Sequence, residues 1–351
     1  MIKILGRNPS GQSKKNIEQS ANYAGGQFNN LAKTIMLAED TNFVKLMGEF
    51  FKARKDKERE PLVSIPSIKT NLNQLNTDET SITWFGHSSY HILLNGKHIL
   101  VDPVFSEYAS PLPFMVKAFE GSNVYSPDDF ENIDVLILTH DHYDHLDYYT
   151  LLKLKNKVKD VYCSLGVASH LVYWGFNKPI IHEMDWWDTK KIMDDIQITA
   201  TPARHFSGRT FKRAQTLWSS FVLQTSKHTL FLGGDSGYGD HFKEIGKAFN
   251  QFDIAILECG QYNEKWPMIH MMPEQTIQAH LDLNAEVLMP VHWGKFSLAY
   301  HPWQEPIERL TKKAKELNVV YTTPLIGEQI KLGIHYPNKA WWTNVSKETT
   351  L

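Results

Sequence analysis

The sequence predicts an α/β fold of layered sheets covered by helices. Three observations carry this: short apolar runs bounded by turn residues crowd the stretch after Ser81, helical patterns alternate with such runs further on, and histidines and aspartates stand where the runs end. A pure run of alternating strands and helices would indicate a doubly wound parallel sheet, and the strand-rich first part argues against that. The chain has 351 residues, 42% hydrophobic and 12% aromatic, enough to bury a sizeable core.

The elements follow in order. Residues 6–30 are rich in Gly, Ser, Asn and Gln, which suits an irregular arm. Leu31, Ile35, Leu37, Phe43, Leu46, Met47, Phe50 and Phe51 then recur at roughly helical spacing, followed by the mixed-charge run Lys52 to Glu60, so one or two amphipathic helices are expected there. Pro61 and Pro66 mark a linker. The division expected is an N-terminal arm and helical extension over 1–80, packing on a main domain over 81–351. Within that domain strands are predicted at Ile82–Phe85, His91–Leu94, His98–Val101, Val135–Leu138, Ile196–Thr201, Ser219–Gln224, Thr229–Leu232, Ile254–Glu258, Val287–Val291 and Val319–Thr322. Helices are predicted at Met272–Asp282 behind Pro273 and at Pro306–Glu316 behind Pro302.

Composition narrows the function classes. A formal charge of -2, from 37 Lys+Arg against 39 Asp+Glu, provides no field to draw the chain onto a phosphate backbone, so no nucleic-acid partner is expected. Cys163 and Cys259 each end an apolar run and read as buried thiols. No segment approaches the ~20 apolar residues of a spanning helix, and the first residues lack the apolar stretch of a signal peptide. A cytoplasmic protein is expected, with peripheral membrane contact as an addition to that. A homodimer is also compatible with the sequence.

The segment Thr139-His140-Asp141-His142-Tyr143-Asp144-His145-Leu146-Asp147 directly follows a predicted buried strand. Three imidazoles packed so closely are costly unless something binds them, and alternating His140 and His142 can face one cation while Asp144 and His145 face a second. One cluster cannot close two coordination shells. His205, Asp235 and His292 each follow another predicted strand, where loops converge at one sheet edge, and they complete the set. A carboxylate can offer its two oxygens to separate cations, whereas an imidazole offers one nitrogen.

The run His140 to His145 matches the His-x-His-x-Asp-His signature, and on it the chain resembles the metallo-β-lactamase superfamily. The resemblance implies a four-layer αββα sandwich, with two β-sheets face to face between outer helices. It implies two zinc ions: the first on His140, His142, His205 and Asp235, the second on Asp144, His145, His292 and the shared Asp235. Asp102, in Val101-Asp102-Pro103, matches the superfamily's early aspartate and is expected to orient a ligand from behind, as is His87 with less support. Two dications lower the pKa of a shared water to roughly 7, which makes hydrolysis by a metal-bridging hydroxide the expected chemistry.

A narrower resemblance is to the N-acyl-phosphatidylethanolamine-hydrolysing phospholipase D family and its bacterial relatives. It rests on Thr83-Trp84-Phe85-Gly86-His87, Asp102-Pro103-Val104-Phe105-Ser106, the histidine run itself, Asp185-Trp186-Trp187, Gly234-Asp235-Ser236-Gly237-Tyr238 and Val291-His292-Trp293-Gly294-Lys295-Phe296. Asp141 departs from the family's Asn, and Met271-Met272-Pro273-Glu274-Gln275 only approximates its motif. The resemblance implies a phospholipid substrate cleaved to phosphatidic acid and an N-acylethanolamine, with Asp235 and His270 catalytic. Pro111 to Val116, Leu217-Trp218 and Trp266-Pro267-Met268 are candidates for an acyl groove. The alternative is a lactonase or other small-molecule ester or phosphoester hydrolase of the same fold, which would want a small polar cavity instead.

Overall fold

Burial on both faces distinguishes the central strands of the two large sheets. The computed structural model describes residues 3–38, 48, 57–112, 115–193 and 195–345. Seven strands form one sheet in the order β15-β3-β4-β5-β6-β7-β8 and six form a second in the order β14-β13-β12-β11-β10-β9. The first comprises β3 (Ser81–Trp84), β4 (Tyr90–Leu94), β5 (Lys97–Val101), β6 (Ile133–Leu138), β7 (Val158–Ser164), β8 (Ile181–Met184) and β15 (Gln329–Lys331). The second comprises β9 (Thr189–Met193), β10 (Ile196–Pro202), β11 (Ser219–Gln224), β12 (Thr229–Leu232), β13 (Phe252–Glu258) and β14 (Ala285–Val291). Each sheet has an antiparallel part and a parallel part: β5 to β8 run parallel in the first, and β12 to β14 in the second.

Period-two alternation explains how such apolar strands serve two cores. Along β6, Val135 and Ile137 join the core shared with Ile198, Ala200 and Val222 of the other sheet. Leu136 and Leu138 point the other way, to Leu151, Leu154 and Leu171 of the outer helices Tyr148–Leu154 and Ala168–Tyr173. The helices Pro273–Asp282 and Glu305–Glu316 cover the second sheet through Ile277, Ile307 and Leu310. The four-layer arrangement implied by the sequence is therefore present, and both predicted helices form. Cys163 and Cys259 are buried and unpaired.

Two expectations are corrected. Val319–Thr322 forms no strand; Tyr321 makes a single bridge to Leu288, because Pro324 follows at once and removes a donor. Nor is the stretch from Leu31 to Leu37 helical. It is irregular, with bends at both ends; Leu31 is 60% exposed, and Met36 and Leu37 line a cavity instead of joining one helix stripe. Phe43, Leu46, Met47, Phe50 and Phe51 lie outside the described residues.

The arm is tied down by polar contacts to distant residues. It contains a short helix, Gly11–Ile17, and a hairpin of β1 (Tyr23–Ala24) and β2 (Gln27–Phe28). Trp174 Nε1 donates to Lys3 O at 2.8 Å, the Arg209 guanidinium to Ile4 O at 2.8 Å, and Arg7 N to His170 Nδ1 at 3.0 Å. Ala38 N donates to Lys265 O at 2.8 Å.

Candidate metal centre and cavity

Each predicted ligand stands just past the carboxyl end of a strand: His140 after β6, His205 after β10, Asp235 after β12 and His292 after β14. The turn Gly233-Gly234 makes the placement of Asp235 possible, since Gly234 has φ +59° and a Cβ there would lie 3.0 Å from Thr139. Asp102 and His292 adopt positive φ as well, 40° and 66°, a conformation that costs a non-glycine residue about 1–3 kcal/mol unless its surroundings fix it.

The structure brings all seven predicted ligands together. Donor atoms of His140, His142, His205 and Asp235 lie within 4.8 Å of one another, and so do those of His87, Asp144, His145 and His292. A third overlapping group joins Asp235, His270 and His292 within the same 4.8 Å. Asp235 approaches both sets, with Oδ2 3.8 Å from His140 Nε2 and 3.7 Å from His205 Nε2, and Oδ1 3.2 Å from both His145 Nε2 and His292 Nδ1. His87 is not behind the donors but among them, its Nε2 2.9 Å from Asp144 Oδ2.

Hydrogen bonds behind the rings decide which nitrogen of each is bare. Asp102 Oδ2 accepts from His145 Nδ1 at 2.7 Å and from Thr139 Oγ1 at 2.5 Å, while its Oδ1 accepts from Thr139 N at 2.9 Å. The Thr139 hydroxyl, with its proton directed at Asp102, accepts from His140 Nδ1 at 3.0 Å. One carboxylate thus fixes the tautomers of two histidines, leaving Nε2 of each as a lone pair. His205 is held likewise, its Nδ1 donating to Ile269 O at 2.8 Å. Asn30 of the arm accepts from His205 N at 3.0 Å and donates to His205 O at 2.9 Å. Burial pushes the imidazoles of His140, His205 and His292 well below their ordinary pKa, so they stay neutral and able to donate lone pairs.

Behind His142, Asp141 Oδ2 meets His170 Nε2 at 3.2 Å and Oδ1 accepts from Gly208 N at 2.7 Å. Burial works against the Asp141 charge, yet His170 and Arg209 hold the carboxyl down to about 2. Arg209 donates to Asp141 O and Leu146 O at 2.9 and 2.7 Å and so ties both ends of the histidine loop to the arm. His270 Nδ1 lies 2.7 Å from Glu258 Oε2, and its ring stacks on His292 at 5.2 Å.

A cavity of about 560 Å³ opens onto these donors. His142, Asp144, Asp235, His270 and His292 share its walls with Met36, Leu37, Trp266, Ile269, Leu298 and Tyr300, and Arg213 sits at one side. Of the expected acyl-groove segments, Trp266 lines this cavity. Leu217 and Trp218 instead pack with Ile17 and Phe28 under the arm, Leu112 is exposed, and Pro113 and Phe114 lie outside the described residues. Sequence reasoning missed Asn30, His170, Arg209, Glu258 and Ser88, whose Oγ lies 2.9 Å from His292 Nδ1. Only Glu258 carried a signal, a carboxylate closing the apolar run Ile254-Ala255-Ile256-Leu257.

Residues 97–293 match the model of a β-lactamase superfamily domain. An uncharacterized protein of Mycobacterium tuberculosis is 36% identical over 339 residues, covering 93% of this chain and 88% of its own. The mitochondrial N-acyl-phosphatidylethanolamine-hydrolyzing phospholipase D of Saccharomyces cerevisiae is 32% identical over 248 residues, covering 66% of this chain and 51% of that protein. Among solved structures, a possible metal-dependent hydrolase from Veillonella parvula superposes with a TM-score of 0.58 at 16% identity, covering 72% of this chain and 100% of that one.

Proposed function

Because the chain belongs to the metallo-β-lactamase superfamily of metal-dependent hydrolases, we propose that it cleaves a lipid phosphodiester, N-acyl-phosphatidylethanolamine, to phosphatidic acid and N-acylethanolamine. The observation that carries this reading is the cavity, in which metal-type donors share a space of about 560 Å³ with apolar walls and two arginines, Arg209 and Arg213. A substrate joining a phosphate to acyl chains presents that combination, and a small polar lactone does not. The similarity to the yeast phospholipase supports the choice.

The residues fit a pair of zinc ions. His145 Nδ1 is committed to Asp102, so in the neutral ring the Nε2 lone pair faces the Asp235 carboxylate at 3.2 Å with no hydrogen bond to either atom. Two acceptors in that position repel unless a metal ion lies between them or, against the opposing pull of burial, Asp235 and Asp144 draw a proton onto the ring. His292 Nε2 is likewise buried without a partner. His140, His142, His205 and Asp235 would hold one ion, and Asp144, His145, His292 and Asp235 the other, with His87 within reach of the second set. Bound there, a pair of dications supplies a nucleophile at neutral pH and Lewis-acid polarisation of the phosphoryl group.

The chain's own residues do the rest. Asp102 and Thr139 keep the bare nitrogens aimed inward. Arg213 offers a positive charge to the phosphate, Trp266 and Leu298 exclude water from the apolar part, and His270, which lines the same cavity, would serve the leaving group. No helix among the described residues is long and apolar enough to cross a membrane. Peripheral contact is the mode we propose, supported by the fully exposed Phe211 flanked by Lys212 and Arg213 at the cavity mouth.

The test is purified chain loaded with zinc and assayed side by side on N-acyl-phosphatidylethanolamine, a lactone panel and RNA. Release of N-acylethanolamine with about two zinc equivalents bound supports the reading. Turnover of lactones alone, or saturation at one equivalent, overturns it.

A further inference from the structure

We propose that Glu258 is the positioning residue of His270, fixing which ring nitrogen faces the cavity. This rests on the hydrolase reading of the site and adds to it a residue outside the metal donors.

Glu258 ends β13 and is paired in register with Val291, the residue before His292, so it lies directly behind the centre. Its side chain is wholly buried, and each carboxylate oxygen has a separate task. Oε1 accepts from Met271 N at 3.0 Å and from Ser236 N at 3.2 Å, which pins it to the residues flanking His270 and Asp235. Oε2 is left for His270 Nδ1 at 2.7 Å. Thr276 Oγ1 donates to Glu258 O at 2.8 Å and fixes the backbone as well. The ring has little room to turn, stacked on His292 at an interplanar angle of 17° and set edge-on to His205 at 5.0 Å.

A carboxylate only accepts, so the Glu258 contact demands Nδ1–H on His270 and leaves Nε2 toward the cavity that the ring lines. Nε2 then serves substrate, either as a lone pair or as an N–H donor. Exchanging the carboxylate for an amide reverses this. In Glu258→Gln the amide oxygen must stay with Met271 N and Ser236 N, because an NH₂ group there would face two donors. The NH₂ therefore turns to His270, and Nδ1 can only accept.

The direct test is nitrogen-15 NMR of the zinc-loaded, histidine-labelled chain, with His270 assigned by its loss in His270→Ala. Wild type should show a protonated Nδ1, and Glu258→Gln should show an unprotonated one, at unchanged zinc content and melting temperature. On the hydrolysed substrate kcat should fall by up to roughly 10²-fold, no further than in His270→Ala, with KM shifted far less. Adding Glu258→Gln to His270→Ala should cost nothing further. An unprotonated Nδ1 in the wild type overturns the proposal without any variant. So does a Glu258→Gln loss that adds in full to that of His270→Ala, or one that tracks lost zinc. If the tautomer inverts but no phosphodiester is cleaved by the wild type, the positioning stands and the substrate reading fails.

Discussion

Changing Lys295 to methionine should remove a dependence of stability on pH that the wild type carries at mildly alkaline pH. The ammonium is wholly buried, and Nζ donates to Val104 O at 2.8 Å, Phe85 O at 3.2 Å and Asn123 Oδ1 at 3.3 Å. These neutral oxygens satisfy the donors without matching the charge, and burial pulls the amine down to about 7 from an ordinary 10.5. In the unfolded chain the amine keeps its proton to about 10.4, so between these values unfolding takes up a proton and stability rises with pH. The gain is present in full above the unfolded pKa and is lost as pH falls to about 7. Each unit is worth about 1.4 kcal/mol, so roughly 4 kcal/mol separates pH 7 from pH 10. Lys295→Met fills the same space without titrating, although it strands three oxygens at about 1–3 kcal/mol each. Urea unfolding of both zinc-loaded proteins at pH 7, 8.5 and 10 should show their stabilities diverging by about 4 kcal/mol in favour of wild type as pH rises. Parallel curves would refute a buried, titrating Lys295.

Asp102→Asn puts an amide against His145 and Thr139, so zinc affinity measured by chelator competition should fall about 10–100-fold; unchanged affinity would remove Asp102 from the relay. Asp235→Ala should strip donors from both sets and cut zinc content and turnover more deeply than Asp144→Ala, and equal mild losses would argue against sharing. His270→Ala should keep zinc and melting temperature while lipid turnover falls roughly 10²-fold, much of it recovered on a nitrophenyl phosphodiester if His270 protonates the leaving group. Burial holds His280 neutral with its pKa lowered to about 4. Its contribution is therefore complete above pH 6.5 and is lost as pH falls toward 4, by about 2 kcal/mol at pH 5. His280→Leu should flatten the acid limb of the denaturation profile by that amount, and an unaltered limb would exclude it.

What could be read from the sequence was what is local. Strands β4, β5, β6 and β11 announce themselves because apolar residues on both faces make uninterrupted runs, and His140 to His145 lie within one loop. His205, Asp235 and His292 were legible through their place at run ends. Apart from Asp102, the residues that orient the donors were not. Asn30, His170 and Arg209 act on the donors across long separations in sequence, and nothing in their immediate neighbours distinguishes them from surface polar residues. The helix expected from Leu31 failed for a related reason: Met36 and Leu37 are apolar to wall a cavity, and spacing alone does not separate that from a buried helix face. β8 and β9 escaped because their burial is partial and charged or polar residues interrupt them, His182 and Glu183 in β8 and Lys190 and Lys191 in β9.

The arm's contacts also set an order of events during synthesis. Ile4 meets Arg209 across 205 positions, and Asn30 meets His205 across 175. At about 5–20 residues per second, the arm waits roughly 10–40 s after leaving the ribosome before those partners are made. His140, His142, Asp144 and His145 emerge well before then. Until Arg209 emerges, the histidine loop lacks the guanidinium that joins its two ends to Ile4, and until His205 emerges Asn30 has nothing to grip. The arm is therefore translated before the histidine loop yet finds its place after it, and its residues Met36 and Leu37 then close one wall of the pocket beside His142 and Asp144.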